Sequence, residues 1–169
     1  GAYYNSKAYA STVSLYRGTG TTDLTTWGYI TGISWKFDYT DSYNSSSFNL
    51  PIKLWFNTFG GSTLTTNTTF ATYSSGATNV YTGNLACGTS NAYVGITNTA
   101  WLLPSATNFI VMVQEGSFTT GSVYFYGASA TNLASYWNGS SALASASSFA
   151  NYGYRAGIKL TFDKPAITT

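Results

Sequence analysis

Apolar and polar residues alternate along several stretches of the chain with a period of two, which is typical of half-buried β-strands. The clearest inward-facing sets are Ile33, Trp35, Phe37 and Tyr39 in GISWKFDY, Phe48, Leu50, Ile52, Leu54 and Phe56 in FNLPIKLWFN, and Ile158, Leu160 and Phe162 in GIKLTFD. Each set predicts a strand with one face turned towards a core. Pro51 donates no backbone hydrogen bond, so we expect its strand to lie at a sheet edge or to carry a bulge.

Other stretches depart from simple alternation. FIVMVQE, residues 109–115, is apolar on both faces as far as Gln114, which indicates a central strand covered on both sides. SVYFYG, residues 122–127, follows a short glycine-containing turn and predicts a hairpin with that strand. Residues 128–149 are rich in Ala and Ser, and we interpret them as a long surface loop.

Turn signals separate these runs at fairly regular intervals, for example at Gly18, Gly60-Gly61 and Gly83-Asn84. Seven to nine strands in one domain of 169 residues predict an all-β, two-layer β-sandwich of jelly-roll or Ig-like type.

The first residues of the chain also have strand chemistry. Residues 2–17 contain four tyrosines and two aliphatic residues, with no proline and no internal glycine. Such a strand can pair within its own domain, or it can complete the sheet of a neighbouring molecule. We predict a donor strand over residues 1–11, with Tyr4, Ala8 and Ala10 facing a groove in the next subunit, and a β-sandwich domain over residues 12–169.

Composition narrows the possible partners. Charged residues make up only 7% of the chain, far fewer than in an ordinary soluble domain, and aromatic residues make up 18%. Disordered chains are poor in aromatic residues, so this composition predicts a folded chain. Its seven basic residues form no cluster, which argues against nucleic-acid binding. No apolar run is long enough for a membrane span. The chain begins with Gly, which is expected of a processed protein.

Catalytic chemistry has few candidate residues. The chain has no histidine, so catalytic triads that need this base are impossible. Its five acids are Asp23, Asp38, Asp41, Glu115 and Asp163; they could supply a carboxylate pair, although solvated surface positions are the simpler interpretation. Asp38 and Asp41 make a poor calcium cage, and zinc lacks a ligand set. We therefore predict no enzyme, no catalytic residue, no metal site and no cofactor.

Three sequons, at Asn44, Asn67 and Asn138, indicate N-glycosylation outside a cell, on exposed turns. Cys87 is the single cysteine, and a buried small side chain is favoured over an intersubunit disulfide. Trp55 and Trp137 fall on outward-facing positions, where they could contact a sugar or another subunit.

In layout, the chain resembles the donor-strand surface filament subunits of thermophilic archaea known as threads and bundling pili. The resemblance rests on composition, sequons and the first strand, and it carries over no residue roles. It implies a secreted, cell-surface β-sandwich that polymerises head to tail with identical subunits and that can contact cell-surface or host glycans. The alternatives are a virion surface, fibre or capsid protein with a jelly-roll fold, and a carbohydrate-binding module or lectin.

Overall fold

Two antiparallel β-sheets contain most of the residues that the structure describes. The structure is a computed structural model, and it describes residues 9–20, 23–38, 48–88, 91–116 and 124–163. Nine of its strands have six residues or more: β1 (Tyr9–Tyr16), β2 (Gly28–Asp38), β3 (Phe48–Phe59), β5 (Thr78–Cys87), β6 (Tyr93–Leu103), β7 (Asn108–Glu115), β9 (Gly127–Gly139), β10 (Ser148–Ala156) and β11 (Ile158–Asp163). The short elements are β4 (Thr68–Thr69), α1 (Phe70–Ser74) and β8 (Tyr124–Phe125).

The larger sheet has seven strands in the order β4-β10-β9-β1-β7-β3-β5. The smaller sheet has the order β11-β2-β6, with β8 also paired to β2. The all-β prediction is therefore confirmed. In the described part of the chain, the structure contains no helix of the length and hydrophobicity that a membrane crossing requires.

The larger sheet carries a cluster of buried apolar side chains on each of its two faces. One cluster lies between the two sheets and includes Trp35 and Phe37 of β2 and Leu54 and Phe56 of β3. A second cluster lies on the opposite face and includes the buried side chains of Val13, Leu15, Ile110, Met112, Leu64 and Tyr73. Strand β7 contributes to both clusters and pairs with β1 and β3, so the prediction of a central, doubly covered strand is confirmed.

The predicted hairpin of FIVMVQE with SVYFYG is wrong. Strand β8 pairs with β2, at Phe37↔Phe125 and Asp38↔Tyr124, and so belongs to the other sheet. The physical reason is that β1 and β3 occupy both edges of β7, which leaves no edge for a following strand.

The predicted surface loop over residues 128–149 is also wrong. Strand β9 covers most of this range and lies inside the larger sheet, between β10 and β1. Its alanines and serines are small enough to be buried at the centre of a sheet, as Ala134 and Ser135 are, at 3% and 0% exposed. Small residues fit a loop and a closely packed strand equally well, and here they permit close packing.

Pro51 does not mark an edge strand, because β3 lies between β7 and β5. The pairing of β3 with β7 begins only at Ile52↔Glu115, and the Pro51 carbonyl accepts a hydrogen bond from the Gly116 amide. The proline therefore lies just past the last residue pair of β3 with β7, so its missing N–H group interrupts none of those pairs, and on the other side Pro51 is paired with Asn84 of β5. Strand β3 does carry a register shift, between Leu54 and Trp55, so the alternative expectation of a bulge in this strand is confirmed, although the bulge does not lie at the proline.

Candidate functional site

Strand β1 lies at the centre of the larger sheet. It forms six residue pairs with β7 and six with β9, including Ala10↔Asn138 and Ser11↔Gln114. Residues 9–11, which we expected to belong to the donor strand, therefore pair within their own chain, and Ala10 is only 1% exposed. Tyr4 and Ala8, the other expected donor residues, lie outside the described residues.

Both faces of β1 are also held by side chains. Ala10 and Tyr16 belong to the cluster between the sheets, and Val13 and Leu15 belong to the cluster on the opposite face. The Ser11 hydroxyl donates a hydrogen bond of 2.9 Å to the Val113 carbonyl. With two ladders and two packed faces, β1 is bound to the rest of the molecule in every lateral direction.

The C-terminal end of β1 carries a polar anchor. The Tyr16 hydroxyl donates a hydrogen bond of 2.6 Å to the Ala156 carbonyl, and the Arg155 guanidinium lies 4.8 Å from the Tyr16 ring centroid. Burial raises the pKa of the Tyr16 phenol well above its ordinary value, although the nearby Arg155 charge opposes this shift. The hydroxyl therefore stays a hydrogen-bond donor.

Asp23 joins two arginines beside this anchor. Its carboxylate accepts hydrogen bonds of 2.7 and 3.1 Å from the Arg155 guanidinium, and of 3.0 and 3.2 Å from the Arg17 backbone and side chain. Arg155 also donates a hydrogen bond of 2.8 Å to the Leu15 carbonyl. Partial burial disfavours the charged carboxylate, but the hydrogen bonds from Arg155 and Arg17 outweigh it and hold the pKa of Asp23 well below its ordinary value.

Next to this cluster, a groove of about 370 Å³ separates the end of β1 from strand β11. Its walls combine Tyr16, Asp23 and Arg155 with the inward-facing side chains of β11, namely Ile158, Leu160 and Phe162. These three pack against the core but remain partly exposed, whereas Lys159, Thr161 and Asp163 are exposed. The predicted register of β11 is confirmed, and the groove explains why its burial is incomplete.

Sequence reasoning missed both the charged cluster and the groove. Asp23 and Arg155 lie 132 positions apart, so no local pattern links them. The spacing of Arg17 and Asp23, six residues apart across a turn, was the only local signal.

The three sequons lie in different environments. Asn67 is exposed in a turn with φ of 62°, and its backbone amide donates to the Phe149 carbonyl. Asn138 is half-buried and lies in β9 opposite Ala10, so the expectation of a turn at this position is wrong. Asn44 lies outside the described residues.

Cys87 lies at the end of β5 and is only 1% exposed. The prediction of a buried side chain is therefore confirmed. Burial, together with the charge of the nearby Glu115, raises the pKa of the Cys87 thiol to about 12. A neutral, buried thiol cannot readily attack an external disulfide.

Trp55 and Trp137 do not form an outward-facing platform. Both pack, half-buried, against the cluster that includes Leu64 and Tyr73, and Trp55 meets Phe70 edge-on at 6.4 Å. The expectation of outward positions is wrong because the segment around α1 covers this face of the larger sheet.

The acids that the structure describes are dispersed. Asp23 is in its arginine cluster, Glu115 is 2% exposed at the end of β7, and Asp38 and Asp163 end β2 and β11. Asp41 lies outside the described residues. Among the described residues, no group of three or more His, Cys, Asp and Glu side chains is placed to hold a metal ion.

Comparison with known proteins gives no relative: no family model, no curated protein and no solved structure matches this chain.

Proposed function

We propose that this protein is a structural subunit of an extracellular, cell-surface filament that polymerises head to tail. Its domain is a two-layer β-sandwich of jelly-roll or Ig-like type, and its N-terminal segment complements the sheet of the next subunit. The pairing of residues 9–11 within their own sheet narrows the proposed donor segment to residues 2–8, with Tyr4 and Ala8 as its contact residues.

The observation that carries this proposal is the position of β1, which continues directly from residues 2–8. A force along a filament would reach each subunit through this segment and load β1 along its own axis. Two ladders of six residue pairs each would then share the load in shear, and each hydrogen bond contributes about 1 kcal/mol net. The Tyr16 and Arg155 contacts strengthen the far end of the same strand.

Surface chemistry supports the same role. Only 7% of the residues are charged, which suits contacts made by backbone pairing and apolar burial. Asn44, Asn67 and Asn138 are the acceptor sites that we propose for N-linked glycans. Asn67 supports this because it is exposed in a turn, whereas Asn138, half-buried in β9, gives no such support.

Deletion of residues 1–8 tests the proposal. The shortened chain keeps all of β1, so its thermal unfolding should match that of the full chain, which circular dichroism measures. Negative-stain electron microscopy should show filaments of the full chain and only single subunits of the shortened chain at the same concentration.

Deletion of residues 1–11 is a useful comparison, because it also removes Ala10 and Ser11 from the centre of the sheet. This variant should lose stability as well as polymerisation. Filaments that persist without residues 1–8 would contradict the proposal, as would a full chain that never forms filaments. Closed symmetric oligomers would favour the virion protein, and glycan binding by the monomer would favour the lectin.

A further inference from the structure

We infer that the groove beside β11 is the acceptor site for residues 2–8 of a second copy, which would bind there as an added strand. This inference rests on the proposed function and identifies the surface that receives the donor segment.

The first argument is the free edge of β11. In the described part of the chain, β11 pairs with β2 and with no other strand, so one row of its backbone groups has no ladder partner. Exposed strand edges pair readily with an extended segment of another chain. Strand β11 has six residues, and residues 2–8 provide seven.

The second argument is the partly exposed apolar wall of the groove. Ile158, Leu160 and Phe162 pack against the core yet keep part of their surface accessible. Leu24 and Tyr16 extend the same lining. A strand beside β11 would place every second side chain against this wall and complete its burial.

The third argument is the distance between donor and groove in one molecule. Tyr9 and Tyr16 are the two ends of β1, about 23 Å apart, and Tyr16 lines the groove. Residues 2–8 span at most about 25 Å when fully extended. If residues 2–8 folded back along β1 to reach the groove of their own molecule, they would use their whole length and no residue would remain to pair with β11. Residues 2–8 can therefore reach only the groove of another copy.

The fourth argument is chemical complementarity. If residues 2–8 are extended, Tyr4 and Ala8 share one face, so one aromatic and one small side chain could meet the apolar wall. Lys7 falls on the opposite face, which is the face on which β11 presents its Asp163 carboxylate. The charge at Asp23 is already matched by Arg17 and Arg155, so it does not oppose an apolar segment.

Disulfide trapping in a Cys87→Ala background tests the inference. The double variant Asn5→Cys with Thr161→Cys joins the outward face of the donor to the outward face of β11, and Lys159→Cys provides a second acceptor position. Oxidised filaments should give a ladder of covalent oligomers on a non-reducing denaturing gel for at least one acceptor. Asn5→Cys with Thr99→Cys, on β6 at the other edge of the sheet, is the matched control and should give no ladder.

The other outcomes would overturn the inference in distinguishable ways. Filaments that form without any covalent ladder would put the acceptor elsewhere and leave the proposed function standing. Covalent dimers from Thr161→Cys alone would show that two β11 edges pair with each other. Absence of filaments in the unmodified chain would remove the proposed function and the inference together.

A groove-filling substitution gives an independent measurement. Thr25 is exposed and lines the groove, so Thr25→Trp should block it without disturbing the core. We expect at least a tenfold rise in the concentration needed for polymerisation, measured by pelleting. Thr99 is also exposed and lies on β6 at the other edge of the sheet, so the Thr99→Trp variant should polymerise as the unmodified chain does. Equal behaviour of the two variants would contradict the assignment.

Discussion

At the scale of single residues, Cys87 shows how burial controls chemistry. Its side chain is 1% exposed, and its pKa is raised to about 12 from an ordinary value of 9.0. We expect alkylation by iodoacetamide at pH 8.5 to be at least about a hundredfold slower in the native protein than in denaturant. Mass spectrometry of the time course measures this, and rapid labelling of the native protein would contradict the buried position.

The same pKa shift has a consequence for stability at high pH. The unfolded chain releases the thiol proton above about pH 9, whereas the folded chain retains it up to about pH 12. The free energy of unfolding should therefore fall as the pH rises through this interval. Cys87→Ala should remove that part of the decrease, which denaturant titrations at pH 8 and 10 can compare.

For Asp23 we predict a loss of stability at low pH, whereas for Cys87 the loss occurs at high pH. Its folded pKa lies below the ordinary value of 3.8, so its stabilising effect is complete above that pH and is lost as the pH falls below it. Asp23→Asn should destabilise the protein by about 2 kcal/mol at pH 7, because charged hydrogen bonds from two arginines are weakened. The difference from the unmodified chain should shrink towards pH 2, and a constant difference would contradict the ionic explanation.

These residues also mark what the sequence can predict at this scale. Burial of Cys87 follows from its residue type, and the alternation in β11 follows from a period of two. The Asp23–Arg155 pair depends on how β1 and β10 meet in three dimensions, which no spacing in the sequence encodes. Trp55 was assigned to the correct face of β3, but the segment that covers this face could not be foreseen from β3 alone.

At the scale of elements, β11 is a strand whose apolar face is only partly buried. Leu160→Ala should therefore destabilise by about 1–2 kcal/mol, clearly less than Leu54→Ala, whose fully buried side chain should cost about 3–5 kcal/mol. Lys159→Ala should cost less than about 1 kcal/mol, since it removes only the contact of the ammonium group with the Tyr93 ring at 3.5 Å. Chemical denaturation of the three variants measures the order, and an equal loss for both leucines would contradict the open groove.

Strands β2, β3 and β11 were predictable because apolar and polar side chains alternate along them, and β7 was predictable because it is apolar on both faces. Strand β9 was not, because Ala, Ser and Thr satisfy loop and strand patterns equally well, and only the neighbouring β1 and β10 select the strand. The pairing of β8 with β2 likewise depends on which edges are already occupied. Local patterns thus identify most strands here, whereas the assignment of strands to sheets is a property of the assembled fold.

At the scale of the whole molecule, the scarcity of charge predicts how a filament should respond to salt. The formal net charge is +2, and the one carboxylate among the described residues that line the acceptor groove that we propose, Asp23, is already paired with Arg17 and Arg155 of its own subunit. Because the junction would rest on backbone hydrogen bonds and apolar burial, raising NaCl from about 0.05 to 1 M should leave filament length unchanged, although the Debye length falls to about 3 Å.

Guanidinium chloride at a concentration below the unfolding midpoint should shorten the filaments, because it solvates peptide and apolar groups. Light scattering and electron microscopy measure both responses, and the variant Asp163→Lys tests whether its charge contributes. Filaments that dissolve in 1 M NaCl would show that charge pairs hold the subunits together and would contradict an apolar strand junction.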